Sequence, residues 1–232
     1  MKKLKIWSMM MLVIMILPFL IACGDEDSDD SGGQNNPPTY AGKRLIRVID
    51  NGLTTNYSYD GQGRIIQLIT TYSSGSVAFS STFSYENNTI VQSIKDGSIS
   101  YTIKYTLEDG RIIKLYDSDT RESVLYEYEN GYLVREKEPN RTINYNWNDG
   151  NLENYEYTSY ICPQGFYPMG HNADMCQNWG LSGYLGNSVK YLPSKTKGGA
   201  ISFEWTISEG LPIGMVQSSN REVLKKYTFE WN

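Results

Sequence analysis

Apolar and polar residues alternate along most of the chain. Ile99, Tyr101, Ile103, Tyr105 and Leu107 fall on one side of an extended backbone, and Ser100, Thr102, Lys104 and Thr106 on the other. Val124, Tyr126 and Tyr128 repeat the pattern, as do Ile143, Tyr145 and Trp147. Ile201, Phe203, Trp205 and Ile207 follow it, then Tyr227, Phe229 and Trp231. Each run predicts a β-strand with one covered face. No window carries a helical stripe, so helices are expected to be short at most.

The strands are punctuated by one recurrent phrase. In Tyr126-Glu127-Tyr128-Glu129-Asn130-Gly131-Tyr132-Leu133, Asn and Gly tolerate the two positive-φ positions of a type I′ turn. Asp109-Gly110, Asp149-Gly150, Asn87-Asn88 and Glu209-Gly210 occupy equivalent places, and Tyr59-Asp60-Gly61-Gln62-Gly63 is one residue longer. From Gly63 through Asn88, Gly110 and Gly131 to Gly150 the spacing is 25, 22, 21 and 19 residues. Each interval holds two strands and their turns. The prediction is therefore an all-β fold: a long antiparallel up-and-down meander, coiled into a barrel or half-barrel because a flat sheet would leave its apolar face wet. Ile65-Ile66 and Ile112-Ile113 place apolar side chains on both faces, which predicts bulges or partial cover of the second face in the strands after the turns.

The alternation stops at Tyr160. From there to Pro193 the chain is rich in Gly, Pro, Asn and aromatic residues, and strands are expected to resume near Ala200. Cys162 and Cys176 lie within this insertion and are expected to form a disulfide. In the chain-entropy model such a closure contributes about 3 kcal/mol. Phe166, Tyr167, Trp179 and Tyr184 are not accounted for by the sheet, and they are the candidate binding residues. Tyr101, Tyr126, Tyr145 and Trp205, at core-facing strand positions, are assigned to packing.

The first residues are an address. Lys2, Lys3 and Lys5 precede an apolar run from Ile6 to Ile21, and Ala22 precedes Cys23, as in a secretory signal peptide. Residues 1–22 are thus expected to be removed, with Cys23 acylated as the lipid attachment site. Residues 23–39 then form an acidic, Pro-containing linker without large apolar side chains. Residues 40–232 are long enough for a single all-β domain with its own core. Without the three signal lysines, 18 bases face 26 acids, a net charge of −8 that argues against nucleic acid as a partner.

Candidate chemistry is sparse. The chain has one histidine, His171, and no Gly-x-Ser-x-Gly elbow, so a Ser-His-acid triad has no support. His171, Asp174 and Cys176 are too few and too irregularly spaced for a zinc site. Most acids stand in turns, where they are solvated. The expectation is a protein with no catalytic residues, metal or cofactor.

Leu20-Ile21-Ala22-Cys23, the hairpins with Gly63-Arg64-Ile65 and Gly110-Arg111-Ile112, Gly183-Tyr184-Leu185-Gly186 and Tyr191-Leu192-Pro193-Ser194 together resemble a family of Bacteroidetes lipoproteins of unknown function. The acids after Cys23 resemble the surface-export signal of such lipoproteins. The hairpin phrase also resembles the tyrosine-aspartate repeats of secreted β-proteins, although Tyr59-Asp60 alone matches that pair. The family resemblance implies a porin-like fold and brings no catalytic residues with it. It points to an outer-membrane lipoprotein, held by its lipid and facing the cell exterior, with a non-enzymatic binding or assembly role toward a glycan or envelope protein. Two alternatives are a carrier of a hydrophobic ligand inside the sheet and a glycan-active surface enzyme. A membrane-spanning barrel is disfavoured, since a lipid anchor would be redundant and the outward face would need an apolar band about 25 Å tall.

Overall fold

Asx-Gly pairs close hairpins because both central residues of a type I′ turn need positive φ. The computed structural model describes residues 39–40, 42–163, 179–220 and 222–232. In it Asp109-Gly110, Asn130-Gly131, Asp149-Gly150 and Glu209-Gly210 have both φ angles positive, as does Asn51-Gly52, a fifth turn of the same kind. The longer Asp60 turn is held by its own side chain, whose Oδ1 accepts from the N–H groups of Gln62 and Arg64 at 2.9 and 2.8 Å.

These turns join β2 (Lys43–Asp50), β3 (Leu53–Tyr59), β4 (Ile65–Tyr72), β5 (Val77–Glu86), β6 (Thr89–Asp96) and β7 (Ile99–Glu108). The meander continues through β8 (Arg111–Asp117), β9 (Ser123–Glu129), β10 (Tyr132–Lys137) and β11 (Thr142–Asn144). A short hairpin of β12 (Trp147–Asn148) and β13 (Asn151–Leu152) forms a separate ladder. Then come β14 (Tyr155–Ile161), β15 (Tyr191–Thr196), β16 (Ser202–Ser208), β17 (Leu211–Ser219) and β18 (Glu222–Trp231). With β1 (Thr39–Tyr40) beside β2, the sheet has 16 strands. Sequence neighbours pair throughout, and β18 pairs with β2 from Tyr227↔Asp50 to Trp231↔Leu45, so the two ends of the domain clasp each other.

The sheet does not close into a barrel: its edges are β11 and β14. Ile143, Tyr145 and Trp147, predicted as one strand, are divided there because the partner changes. The Tyr145 N–H still bonds the carbonyl of Val134 on β10, whereas Trp147 pairs with Leu152. The strand predicted to resume near Ala200 starts earlier, at Tyr191, and contains Pro193. Proline cannot donate to a ladder, and Pro193 sits where the register with β14 slips, a place that tolerates it.

Those slips are the predicted bulges, and they repeat. Tyr59 faces Ile65 but Ser58 faces Gln67; Leu107 faces Ile112 but Thr106 faces Lys114. Tyr128 with Leu133, Ile207 with Pro212, Tyr157 with Pro193 and Trp231 with Leu45 behave alike. At each of these six bulges an aromatic side chain donates to the displaced residue's carbonyl. Tyr59 bonds Leu45 at 2.6 Å, Tyr85 bonds Ile65 at 2.8 Å and Tyr128 bonds Ile112 at 2.7 Å. The indole N–H groups of Trp147, Trp205 and Trp231 bond Leu133, Pro193 and Pro212 at 2.7, 2.6 and 2.8 Å. Tyr157 serves Leu152 in the short hairpin at 3.0 Å. The β5–β6 hairpin runs without a bulge, and there the corresponding position is Leu107, which has no side-chain donor.

The core lies at the end of the sheet where these bulges cluster. Leu45, Ile65, Leu68, Ile90, Ile112, Leu192 and Phe229 are almost wholly buried there. Toward the far end the covered face opens, and Tyr72, Val77, Ile99 and Val223 are more than half exposed. Tyr126 is buried, and Tyr145 and Trp205 pack against the core, as their alternation predicted. Between the two ends the covered face carries polar groups that satisfy one another. Tyr105 donates to Gln92 at 2.7 Å, Gln92 to Ser81 at 3.0 Å, and Tyr145 to the buried Glu136 at 2.8 Å.

Burial holds the hydroxyls of Tyr59, Tyr85, Tyr126, Tyr128, Tyr145 and Tyr157 above the ordinary tyrosine pKa. A raised pKa in the folded state gives stability that is full below about pH 10, where unfolded tyrosine ionises, and that is lost as pH rises further. An alkaline titration should therefore show phenolate absorbance and loss of β circular dichroism rising together. Ionisation of these tyrosines with the β signal intact would contradict the packing described.

Candidate functional site

The insertion after β14 was the predicted site. Phe166, Tyr167, Cys176 and the side chain of Trp179 lie outside the described residues, as do His171 and Asp174. Among the described residues no disulfide is present. Cys162 is buried, its thiol donates to the Pro163 carbonyl at 3.7 Å, and burial pushes its pKa up. No group of metal-ligating side chains is found among the described residues.

The end of the insertion has a different role from the one predicted for it. A 3-10 helix, Trp179–Leu185, brings Leu181, Tyr184 and Leu185 into the core, and Val189 and Leu192 follow. Tyr184 is 2% exposed and lies beside Tyr85. Tyr184, expected as a binding residue, is thus placed in a plug at the bulged end of the sheet, packed in the core and not presented to solvent. Periodicity could not reveal this, because a plug of loop and 3-10 turn has no repeat to read. Glycine makes the docking close. The Asn187 N–H bonds the Gly131 carbonyl at 2.8 Å, and a Cβ on Gly186 would stand 2.3 Å from that same oxygen.

A second feature lies at the seam between β10 and the β12–β13 hairpin. A groove of about 960 Å³ runs there, lined by Tyr132, Trp147, Asn130, Asn144, Asn146 and Arg135. The Tyr132 and Trp147 rings meet at 4.7 Å between centroids with 42° between planes, and both are half-buried. Trp147 is fixed by its bond to Leu133, while Arg135 is held by Asn144 at 3.0 Å and Glu127 at 2.6 Å. Glu129, Asp149 and Glu153 complete the walls. The sequence carried a signal for this groove that went unused. Asn144, Asn146 and Asn148 fill the polar positions of a strand where the other strands place Ser, Thr, Lys or Glu.

The outward face of the sheet is charged along its length. Arg47 of β2 reaches Asn56 of β3 at 2.8 Å and Glu230 of β18 at 2.9 Å. Glu127 of β9 receives both Arg135 and Lys137 of β10, contacts that hold its carboxyl below the usual range, with Lys137 first. Lys195 pairs with Glu156 at 3.0 Å. No helix among the described residues is long and apolar enough to cross a membrane.

No family model matches the chain, and no curated protein matches it. Solved structures do. A porin-like protein from Bacteroides uniformis ATCC 8492 matches with a TM-score of 0.57 at 16% identity, over 85% of this chain and 100% of that one. A porin-like protein from Bacteroides vulgatus ATCC 8482 matches with a TM-score of 0.54 at 13% identity, over 81% of this chain and 98% of that one. The chain has a porin-like fold. The porin-like fold that the sequence resemblance implied is thus the fold the chain has.

The docking of the plug on this porin-like fold can be tested at Gly186. Gly186→Ala should lower stability by about 2 kcal/mol or more, combining left-handed strain with the contact on the Gly131 carbonyl. Gly75→Ala has a similar φ and open space around it, so it reports the strain alone. Equal denaturation midpoints for the two variants would contradict the close docking.

Proposed function

We propose that the chain is a lipid-anchored protein of the outer membrane with a non-enzymatic binding role, and that it does not conduct. Cys23 carries the acyl chains, and the linker from residue 24 to residue 39 separates the domain from the bilayer. The observation that carries this reading is the position of the ion pairs. Arg47 with Glu230, Arg135 and Lys137 with Glu127, and Lys195 with Glu156 stand on the outward face, Arg47 and Glu127 well inside their strands. A bilayer-spanning barrel places its apolar band there, and a Lys or Arg at the midplane costs about 2–4 kcal/mol.

The covered face supports the same reading. Leu181, Tyr184 and Leu185 fill the bulged end, and Phe83, Tyr105, Tyr126 and Phe203 pack behind them. Among the described residues this end of the covered face is occupied by packed side chains, which favours a filled domain over an open pore or a cargo cavity.

The full chain reconstituted in planar bilayers should give no conductance steps, and Cys23→Ala should leave the membrane fraction under an alkaline wash. Channel openings, or a Cys23→Ala variant that stays embedded, would overturn the proposal.

A further inference from the structure

We propose that the groove between β10 and the β12–β13 hairpin is a binding site for neutral oligosaccharides. The inference deepens the binding role proposed above and rests on it. Sugars present two chemistries at once: apolar faces of C–H groups, and hydroxyls that both donate and accept. Aromatic rings meet the first with large area at low entropic cost, and carboxamides meet the second with a donor and an acceptor on one side chain. The groove holds both, with Tyr132 against Trp147 and with Asn130, Asn144 and Asn146 among its lining residues.

Three further properties narrow the ligand. The volume of about 960 Å³ lies at the upper end of small-ligand sites, roughly 300–1,000 Å³, which suits several sugar rings and exceeds one. The walls bring three carboxylates, Glu129, Asp149 and Glu153, against one guanidinium, Arg135, with the Lys190 ammonium 3.6 Å from Asp149 at the margin, so acids still outnumber bases. Arg135 is already engaged by Glu127 and Asn144. The site is therefore negative and repels uronic-acid, sulfated and phosphorylated chains, while carboxylates accept from neutral hydroxyls. The aromatic pair is also preorganised. Trp147 is tied to the Leu133 carbonyl and packed on the core, so little side-chain freedom remains to be lost on binding.

Tyr132 is the residue on which the test turns. It is half-buried against Trp147 rather than within the buried cluster, so removing its ring should leave the sheet folded. Full-length protein in detergent is titrated calorimetrically with malto-, cello-, manno- and chito-hexaose, and with a hexameric galacturonate as the anionic member. At least one neutral sugar should bind with a Kd of about a millimolar or tighter, and the galacturonate roughly tenfold more weakly or worse. Tyr132→Ala and Asn146→Ala should each weaken that binding by roughly tenfold while the β circular dichroism and cooperative unfolding are kept. Silence on every neutral sugar, preference for the galacturonate, or binding that survives Tyr132→Ala would each overturn the site. Anchoring and the absence of conductance are measured separately, so a failure here leaves the envelope role standing.

Discussion

A carbonyl oxygen displaced by a β-bulge, with an aromatic N–H or O–H aimed at it from the neighbouring hairpin, is the interaction on which this fold depends. A bulge sharpens the coil of a sheet, which a long meander needs if its apolar face is to be covered, but it disturbs the ladder at a buried carbonyl. Here the disturbance is met six times by the same means, at Leu45, Ile65, Ile112, Leu133, Pro193 and Pro212. In three of them an arginine just before the acceptor lies over the donor's ring: Arg44 on Tyr59, Arg64 on Tyr85 and Arg111 on Tyr128. The Gly-Arg-Ile phrases of the sequence thus acquire a physical meaning. Glycine closes the turn, arginine covers the next hairpin's ring, and isoleucine offers both a core side chain and the carbonyl that the ring binds.

This arrangement also sets where the molecule can vary. The capped bulges gather at one end, the core gathers with them, and the plug from Trp179 to Leu185 docks there with Tyr184 beside Tyr85, itself a bulge donor. The pairing of β18 with β2 closes the array through the chain ends, which moves the break in the sheet to mid-sequence, between β11 and β14. The groove with Tyr132, Trp147 and the asparagines lies beside that break. Packing demands are weakest at a sheet edge, so a ligand site there costs the core little.

Much of this was legible in the residues. The Asx-Gly pairs located the turns, period-two alternation located the strands, and the paired isoleucines after Gly63 and Gly110 located bulges. The rest depended on contacts between distant residues. Nothing local marks Tyr184 as core, because its burial comes from Tyr85 and its neighbours about a hundred positions away. The division at Asn144 was equally hidden, since the alternation of Ile143, Tyr145 and Trp147 continues while the hydrogen-bond partner changes. The asparagine run of the groove was visible but had no meaning until the hairpin placed Tyr132 against Trp147.

The charged outward face and the plugged end set this chain apart from what a porin-like outline suggests, and both rest on a sheet coiled by capped bulges. The most direct measurement is the stability lost on removing a single capping hydroxyl. Tyr59→Phe and Tyr128→Phe keep their rings and lose only the bonds to Leu45 and Ile112. Denaturant unfolding should show each losing about 1 kcal/mol or more, while Tyr72→Phe, at the exposed far end of β4, loses none. Losses for Tyr59→Phe and Tyr128→Phe no greater than for Tyr72→Phe would contradict the account.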